Sequence, residues 1–251
     1  MLTRVKTPAE IRAMRESGAM LATVLAALKP KVVPGVSTEE LADYARSELK
    51  ALGGQPTFLG YQGFPDVICI SVNDEVVHGI PKSGKILSEG DIVGLDFGVT
   101  YRGMTTDSAV SEIVGKPRNT REQELVESTR QAMMAGIGVV HGSVRTGDIG
   151  ATIEGVLAHH KFGIVRDLVG HGVGHELHED PNIPNYGKPD TGPWLQTGMT
   201  IAIEPMATLG THSVYLENDG WTIRTRDGSR SAHFEHTVLI TDTGYEILTV
   251  V

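Results

Sequence analysis

Cysteine is nearly absent: Cys69 is the sole example in 251 residues, so no internal disulfide is available, which agrees with a reducing compartment. Long apolar runs are missing too. The longest, Met20 to Leu28, is far short of the roughly 20 residues that a membrane helix needs. The opening MLTRVKTPAEIRAMRESG mixes charge with small residues and has no central apolar stretch of the secretory kind. Positive charge is scarce: 22 Lys and Arg against 31 Asp and Glu leave a net charge of −9. No basic block offsets that balance, which disfavours a surface that tracks nucleic-acid phosphates. Several catalytic signatures are also lacking. There is no GxxxxGKS or GxxxxGKT phosphate loop and no GxSxG nucleophile elbow, and GHGVGH misses the dinucleotide spacing GxGxxG by one glycine position. These absences lead us to expect a cytoplasmic protein with neither membrane nor nucleic acid as partner.

What remains is an ordinary globular composition, 40% hydrophobic and 21% charged, in a chain long enough to bury a substantial core without staples. Thr7, Pro8 and Glu10 are the start signals of a first helix, carried on by Ile11, Met14, Leu21, Leu25 and Leu28 at helical spacing and ended by Pro30, Pro34 and Gly35. VSTEELADYARSEL reads as a second capped helix. Further helices are expected from about Arg121 to Val140 and near Thr146 to His159. Stretches rich in β-branched residues predict strands at Val67 to Val72, Ile92 to Val99, Ala109 to Val114, Thr200 to Ile203, Trp221 to Thr225 and His236 to Thr241.

The chain also repeats itself at a constant offset of 108 residues. Val36, Thr38 and Leu49 recur as Val144, Thr146 and Leu157, with Glu40 and Leu41 answered by Asp148 and Ile149. Leu87, Gly90, Val93, Leu95 and Asp96 recur as Leu195, Gly198, Ile201, Ile203 and Glu204. One register spanning two separate segments favours a duplicated α/β unit. Asp96 and Glu204 then occupy equivalent positions late in equivalent strands, and a site between the halves would receive a carboxylate from each.

Asp96 in GDIVGLDFGV and Glu204 in GMTIAIEPM are acids within or ending apolar strands, where an ionised carboxylate needs a cation or hydrogen bonds to offset its burial. Asp107 in MTTDSAV and Glu235 in HFEHTVLI repeat the pattern. Any one of them could be a strand-end acid facing solvent; the four together, with histidines, resemble an oxygen-rich site for two divalent metals. GHGVGHELHEDP does not satisfy the zinc-helix spacing, because four residues beyond His175 stands Glu179, and Gly172 and Gly174 argue against a helix. An extended or turning segment that presents His171 and His178 separately is expected. Cys69, inside the apolar VICIS, reads as a buried and unreactive thiol.

The motifs NDEVVHGIP at 73–81, LDFGV with TTDSA eleven residues after its aspartate, GHGVGHELHEDP at 170–181, IEPM at 203–206 and FEHT at 234–237 resemble, in order and spacing, those of the type I methionine aminopeptidases. That resemblance covers essentially the whole chain. It implies an α/β (α+β) pita-bread fold, with duplicated halves and a curved antiparallel sheet covered by helices, as one catalytic domain over 1–251 whose halves are roughly 1–115 and 116–251. It further implies that Asp96 holds one metal through both oxygens, that His171 and Glu204 hold the other, and that Asp107 and Glu235 bridge them. Two Asp, two Glu and one His suit Mn, Fe or Co better than a sulfur-preferring ion, with Zn also compatible.

By the same resemblance, a hydroxide between the two metals attacks the peptide carbonyl, Glu204 handles its proton, His178 contacts the carbonyl oxygen and His78 lies by the scissile amide. Phe58, Tyr61, Phe64, Cys69, Leu177 and Trp221 line the pocket, with His78 at its edge, a wall suited to a thioether. Better-known bacterial members often carry Cys, Tyr and Phe where this chain has Phe58, Phe64 and Leu177, which changes the pocket's detailed shape. The implied partners are N-terminal methionyl peptides with a small second residue and nascent chains, with the ribosome as a further contact and a monomer as the state of the enzyme. A proline-specific peptidase of the same fold would use the same ligands but usually carries a large additional N-terminal domain, and a non-catalytic binding relative would be expected to lose ligands.

Overall fold

The computed structural model describes residues 5–251. In the first half, α1 (Pro8–Leu28) and α2 (Thr38–Leu52) precede β1 (Gln55–Pro56), β2 (Cys69–Val72), β3 (Glu75–Val77), β4 (Ile92–Tyr101) and β5 (Met104–Ile113). In the second, α3 (Thr120–Gly138) and α4 (Thr146–His159) precede β6 (Gly163–Ile164), β7 (Gly170–Gly172), β8 (Glu179–Ile183), β9 (Thr200–Ile203), β10 (Met206–Thr208), β11 (Val214–Leu216), β12 (Ile223–Thr225), β13 (Ser231–His233), β14 (Glu235–Ile240) and β15 (Tyr245–Ile247).

The helix starts follow from local chemistry. Thr7 and Ser37 each accept the amide of the residue three on, and Glu10 and Glu40 reach back to the cap amide, closing two capping boxes. Both satisfy amides that the helix itself leaves unpaired.

Nine strands form one antiparallel sheet whose main path runs β1-β4-β5-β14-β9-β7-β8, with β2 added on β4 and β15 on β14. Two three-stranded sheets, β13-β10-β6 and β11-β12-β3, flank it. Strand β5 begins at Met104, five residues before the expected Ala109, because it pairs with β4 along its full length from Tyr101–Met104 to Ile92–Ile113. Its first residues, Thr105, Thr106, Asp107 and Ser108, are buried polar groups, so no hydrophobic alternation marks them. Trp221 lies outside β12, on the turn before it, where Asp219 accepts the Trp221 amide.

The 108-residue offset reappears in the packing. Leu41, Ala45, Leu49, Leu87, Val93 and Leu95 are buried in one apolar cluster, and Ile149, Ile153, Leu157, Leu195, Ile201 and Ile203 are their counterparts in another. Hydrogen bonds recur at the same offset. The amides of Gly35 and Leu87 reach the carbonyls of Leu87 and Val36, both at 2.8 Å, as those of Ser143 and Leu195 reach Leu195 and Val144 at 3.0 and 2.8 Å. Isolated bridges join Ser37 to Ile86 and Arg145 to Trp194 in the same register. Burial of each large aliphatic side chain in these sets contributes about 1.5–3 kcal/mol, so each helix pair is anchored to its own part of the sheet. No helix among the described residues is long and apolar enough to cross a membrane.

Candidate metal centre and pocket

Successive residues of a strand face opposite sides of its sheet. In β4, Val93, Leu95 and Phe97 point into the helical core, which turns Asp96 and Gly98 to the other face. Cross-strand register then builds a row on that face: Cys69 on β2 is opposite Asp96, Asp96 is opposite Ala109 on β5, and Ala109 is opposite Glu235 on β14. The small Ala109 leaves open space between the two acids. Asp107 stands two pairs along, opposite Gly98, on the same face. Extending the β14–β9 register one step beyond the His236–Ile203 pair brings Glu204 beside Glu235. Asp96 is thus central in its strand, whereas Glu204 follows the last residue of β9.

His171 arrives on the short strand β7, extended as its flanking glycines imply. One donor atom each from Asp107, His171 and Glu235 lies within 4.8 Å of the others. His171 Nε2 is 3.3 Å from Glu204 Oε1. The His171 Nδ1 nitrogen sits 2.9 Å from the Gly172 carbonyl; a carbonyl only accepts, so the proton is on Nδ1 and the Nε2 lone pair is bare toward the acids.

A site that concentrates carboxylates without cations is electrostatically unfavourable. Burial drives the Asp96 carboxyl up to about 7. Burial raises Asp107, Glu204 and Glu235 well above the ordinary range, with the repulsion of neighbouring acids, Asp96 among them, adding to each. Asp96 Oδ1, Asp107 Oδ1 and Glu235 Oε1 are buried without any hydrogen-bond partner. Among the described residues, none of the four acids pairs with a lysine or arginine. Orphaned carboxylate oxygens, those of Asp107 and Glu235 clustered with the imidazole of His171, fit hard or borderline divalent cations.

Above this floor opens a cavity of about 200 Å³. Its wall holds Phe58, Tyr61, Phe64, Cys69, His78, Leu177, His178 and Trp221, and its floor holds Asp96, Asp107, His171, Glu204 and Glu235. Every residue singled out in the sequence for the site is therefore at one cavity. Phe64 meets Phe58 and Trp221 edge-to-face, with ring centroids 6.5 and 5.2 Å apart. Cys69 is buried and its thiol is driven well up by burial and then by Asp96, so it stays protonated.

His78 follows β3 with φ of 58°, a left-handed conformation uncommon for a side chain of its size. The backbone after it is pinned: the Gly79 amide donates to Ser71 Oγ at 3.0 Å, its carbonyl accepts from Ile70 at 2.8 Å, and a Cβ on Gly79 would overlap the Ile70 carbonyl. Burial, with His178 nearby, lowers His78 to about 4, and burial lowers His178 as well. His78 is therefore neutral at pH 7.

Gln62, Val77, Leu168, Val169 and Met206 also line the cavity and were not found from the sequence, where nothing distinguishes them from other apolar or loop residues. His233 was missed as well. It is buried, with Nε2 unpartnered and 3.9 Å from Glu204 Oε2. Its position two residues before Glu235, on the same parity of the strand pattern, was the available signal.

Residues 12–242 match the family described as Metallopeptidase family M24. Methionine aminopeptidase 1 of Bacillus subtilis is 44% identical, with 97% of this chain and 98% of the relative aligned. Methionine aminopeptidase of Escherichia coli is 40% identical over 100% of this chain and 95% of its own length. The chain belongs to the methionine aminopeptidases of family M24. This M24 metallopeptidase, a hydrolase, superposes on the solved methionine aminopeptidase of Thermotoga maritima with a TM-score of 0.98 at 46% identity, all of both chains being covered. A prolidase from Pyrococcus furiosus reaches a TM-score of 0.78 at 23% identity, covering 98% of this chain and 65% of that one, which shows the shared pita-bread fold alone. The proline-specific alternative is not favoured.

Proposed function

We propose that this M24 peptidase removes methionine from the N-terminus of peptides and nascent chains whose second residue is small, acting in the cytoplasm as one catalytic unit of two halves, roughly 1–115 and 116–251. The observation that carries this reading is the juxtaposition of an unpaired carboxylate and imidazole floor with an aromatic and sulfur-containing wall in one cavity.

Asp96, Asp107, His171, Glu204 and Glu235 would hold two divalent cations, with Mn, Fe or Co favoured by the donor types. When bound, such cations polarise a carbonyl and lower the pKa of water. The chain's residues do the rest. Phe58, Tyr61, Phe64, Cys69, Leu177 and Trp221 take the unbranched thioether side chain, so that the scissile carbonyl is presented to the acidic floor. His178 donates a hydrogen bond to the carbonyl oxygen as negative charge develops there. Glu204, its carboxylate between His171 and His233, takes the proton of the attacking water and passes it to the leaving amine. His78, fixed by the strained backbone after β3, stands by the scissile amide.

The test is a peptide panel assayed after chelation and re-addition of Mn, Fe, Co or Zn. Cleavage of Met-Ala, Met-Gly and Met-Ser peptides should greatly exceed that of Met-Lys and Met-Phe, with the difference in kcat/KM. Ala-Pro or Leu-Ala cleaved as well as Met-Ala would defeat the methionine reading while leaving the metal centre standing.

A further inference from the structure

Tyr61 does more than face the pocket. Its hydroxyl lies 2.8 Å from His178 Nδ1, and the two rings tilt at 50° with centroids 5.5 Å apart. A neutral imidazole has one donor nitrogen and one acceptor nitrogen, so whatever Nδ1 does decides what Nε2 can do. If Tyr61 donates to Nδ1, the proton resides on Nε2 and can be given to a substrate carbonyl. With the opposite tautomer, Nε2 would turn a lone pair toward an oxygen that also bears lone pairs. The first arrangement also matches donor and acceptor strength, since a phenol O–H is a good donor while its oxygen lone pair is partly delocalised into the ring.

We propose that Tyr61 is a positioning residue that fixes His178 as the Nε2–H tautomer, making the methionine pocket and the carbonyl-activating histidine one hydrogen-bonded unit. The inference rests on the role proposed above for His178 and supplies what that role needs. It also sets two neighbouring imidazoles in opposite tautomers. His171, whose ring centroid is 4.3 Å from that of His178, holds its proton on Nδ1 against the Gly172 carbonyl and leaves Nε2 bare. His178 does the reverse.

The backbone of the loop carrying Tyr61 is braced on both sides of that residue. The Tyr61 amide donates to the Phe58 carbonyl, its carbonyl accepts from Phe64, and the Gly60 amide closes on the Phe64 carbonyl, each at 2.9 Å. Phe58 and Phe64 are buried beneath it. Filling the pocket and aligning the donor are therefore tasks of one braced segment.

The test is Tyr61→Phe, which keeps the ring and removes the hydroxyl. On a Met-Ala peptide, kcat should fall about 5- to 30-fold, the size of one lost hydrogen bond felt in the transition state, with KM within about twofold of the parent. In a His178→Ala background the same change should alter kcat less than about twofold, because the group it acts through is gone. Nitrogen-15 NMR of histidine-labelled, zinc-loaded protein at pH 8 should show His178 protonated on Nε2 in the parent and a tautomer mixture in Tyr61→Phe, with His178→Ala assigning the signals. A parent protonated on Nδ1, or a Tyr61→Phe protein with raised KM, unchanged kcat and an unchanged tautomer, would overturn the proposal and leave Tyr61 a pocket wall. The tautomer is read without turnover. Failure of the parent to release methionine with any metal would therefore count against the proposed function and not against this assignment.

Discussion

Thr237 brackets Asp107. Its hydroxyl accepts the Asp107 amide at 2.9 Å and donates to the Asp107 carbonyl at 2.8 Å. A side chain of β14 thereby replaces ladder hydrogen bonds two residues beyond the Glu235–Ala109 pair, and both backbone groups of a buried acidic ligand candidate are satisfied.

Thr237→Val preserves shape but strands both groups. Each unsatisfied buried backbone group costs about 1–3 kcal/mol, so a loss of about 2–6 kcal/mol is expected in denaturant unfolding, with Thr237→Ser recovering most of it. An unchanged midpoint would show that the bracket is dispensable.

Loading with divalent metal should stabilise the fold, because cations bind the native acid row and not the unfolded chain. At metal near 100 times Kd, the gain is about 2.7 kcal/mol, or roughly 5–11 °C in Tm for a chain of this size. Asp107→Ala and Glu235→Ala should each abolish that shift and the second equivalent of bound metal measured by elemental analysis, since both contribute to the same three-residue cluster. A full shift in either variant would remove it from the ligand set.

Gly98 tests the pocket from behind. A Cβ there would stand 2.6 Å from Phe58 Cε1 and 3.0 Å from Thr57 Cβ. Gly98→Ala should push Phe58 into the cavity at a cost of about 1–3 kcal/mol. KM for Met-Ala peptides should rise about 5- to 20-fold, while metal content stays intact. Steady-state kinetics with unaltered KM would show that Phe58 does not shape the methionine subsite.

Acid sensitivity should have a contribution from Glu10. Its carboxylate accepts the Thr7 amide and His175 Nε2, each at 2.8 Å. The Thr7 amide first, and then His175, hold its pKa down at about 2 from 4.5. A depressed folded pKa gives stability that is complete above the unfolded value and is lost as pH falls through the folded one. The Tm difference between the parent and Glu10→Gln should hold from pH 6 to about 4.5, shrink below that and vanish near 2. With the side chain 31% exposed, solvent screening keeps the difference small. A difference that does not change with pH would assign the effect to packing.

Local physics made much of this molecule legible in the sequence. Thr7, Ser37 and their acids three residues on fixed helix starts because a capping box is closed within four residues. The expected helix over Thr146 to His159 and strand over Thr200 to Ile203 coincide with α4 and β9, where apolar spacing is unbroken. Offset and motif spacing located the acids and histidines, since the residue types that hold divalent cations are few and are conspicuous in apolar strands. The front of β5 and the turn that holds Trp221 were not legible. Polar residues buried by a site on one face and a helix on the other leave no alternation to read.

Tertiary structure alone decided which atoms meet. Strand register put Cys69, Asp96, Ala109 and Glu235 in one row, and a slip of a single residue would have sent the acids into the apolar core. The contact between Tyr61 and His178 joins residues 117 apart in the chain. The sequence by itself determined which chemistry this chain carries, because composition and spacing specify donor types. Only the folded sheet decided how the donors face one another, because that depends on pairings between segments far apart in the chain, whose geometry no local pattern encodes.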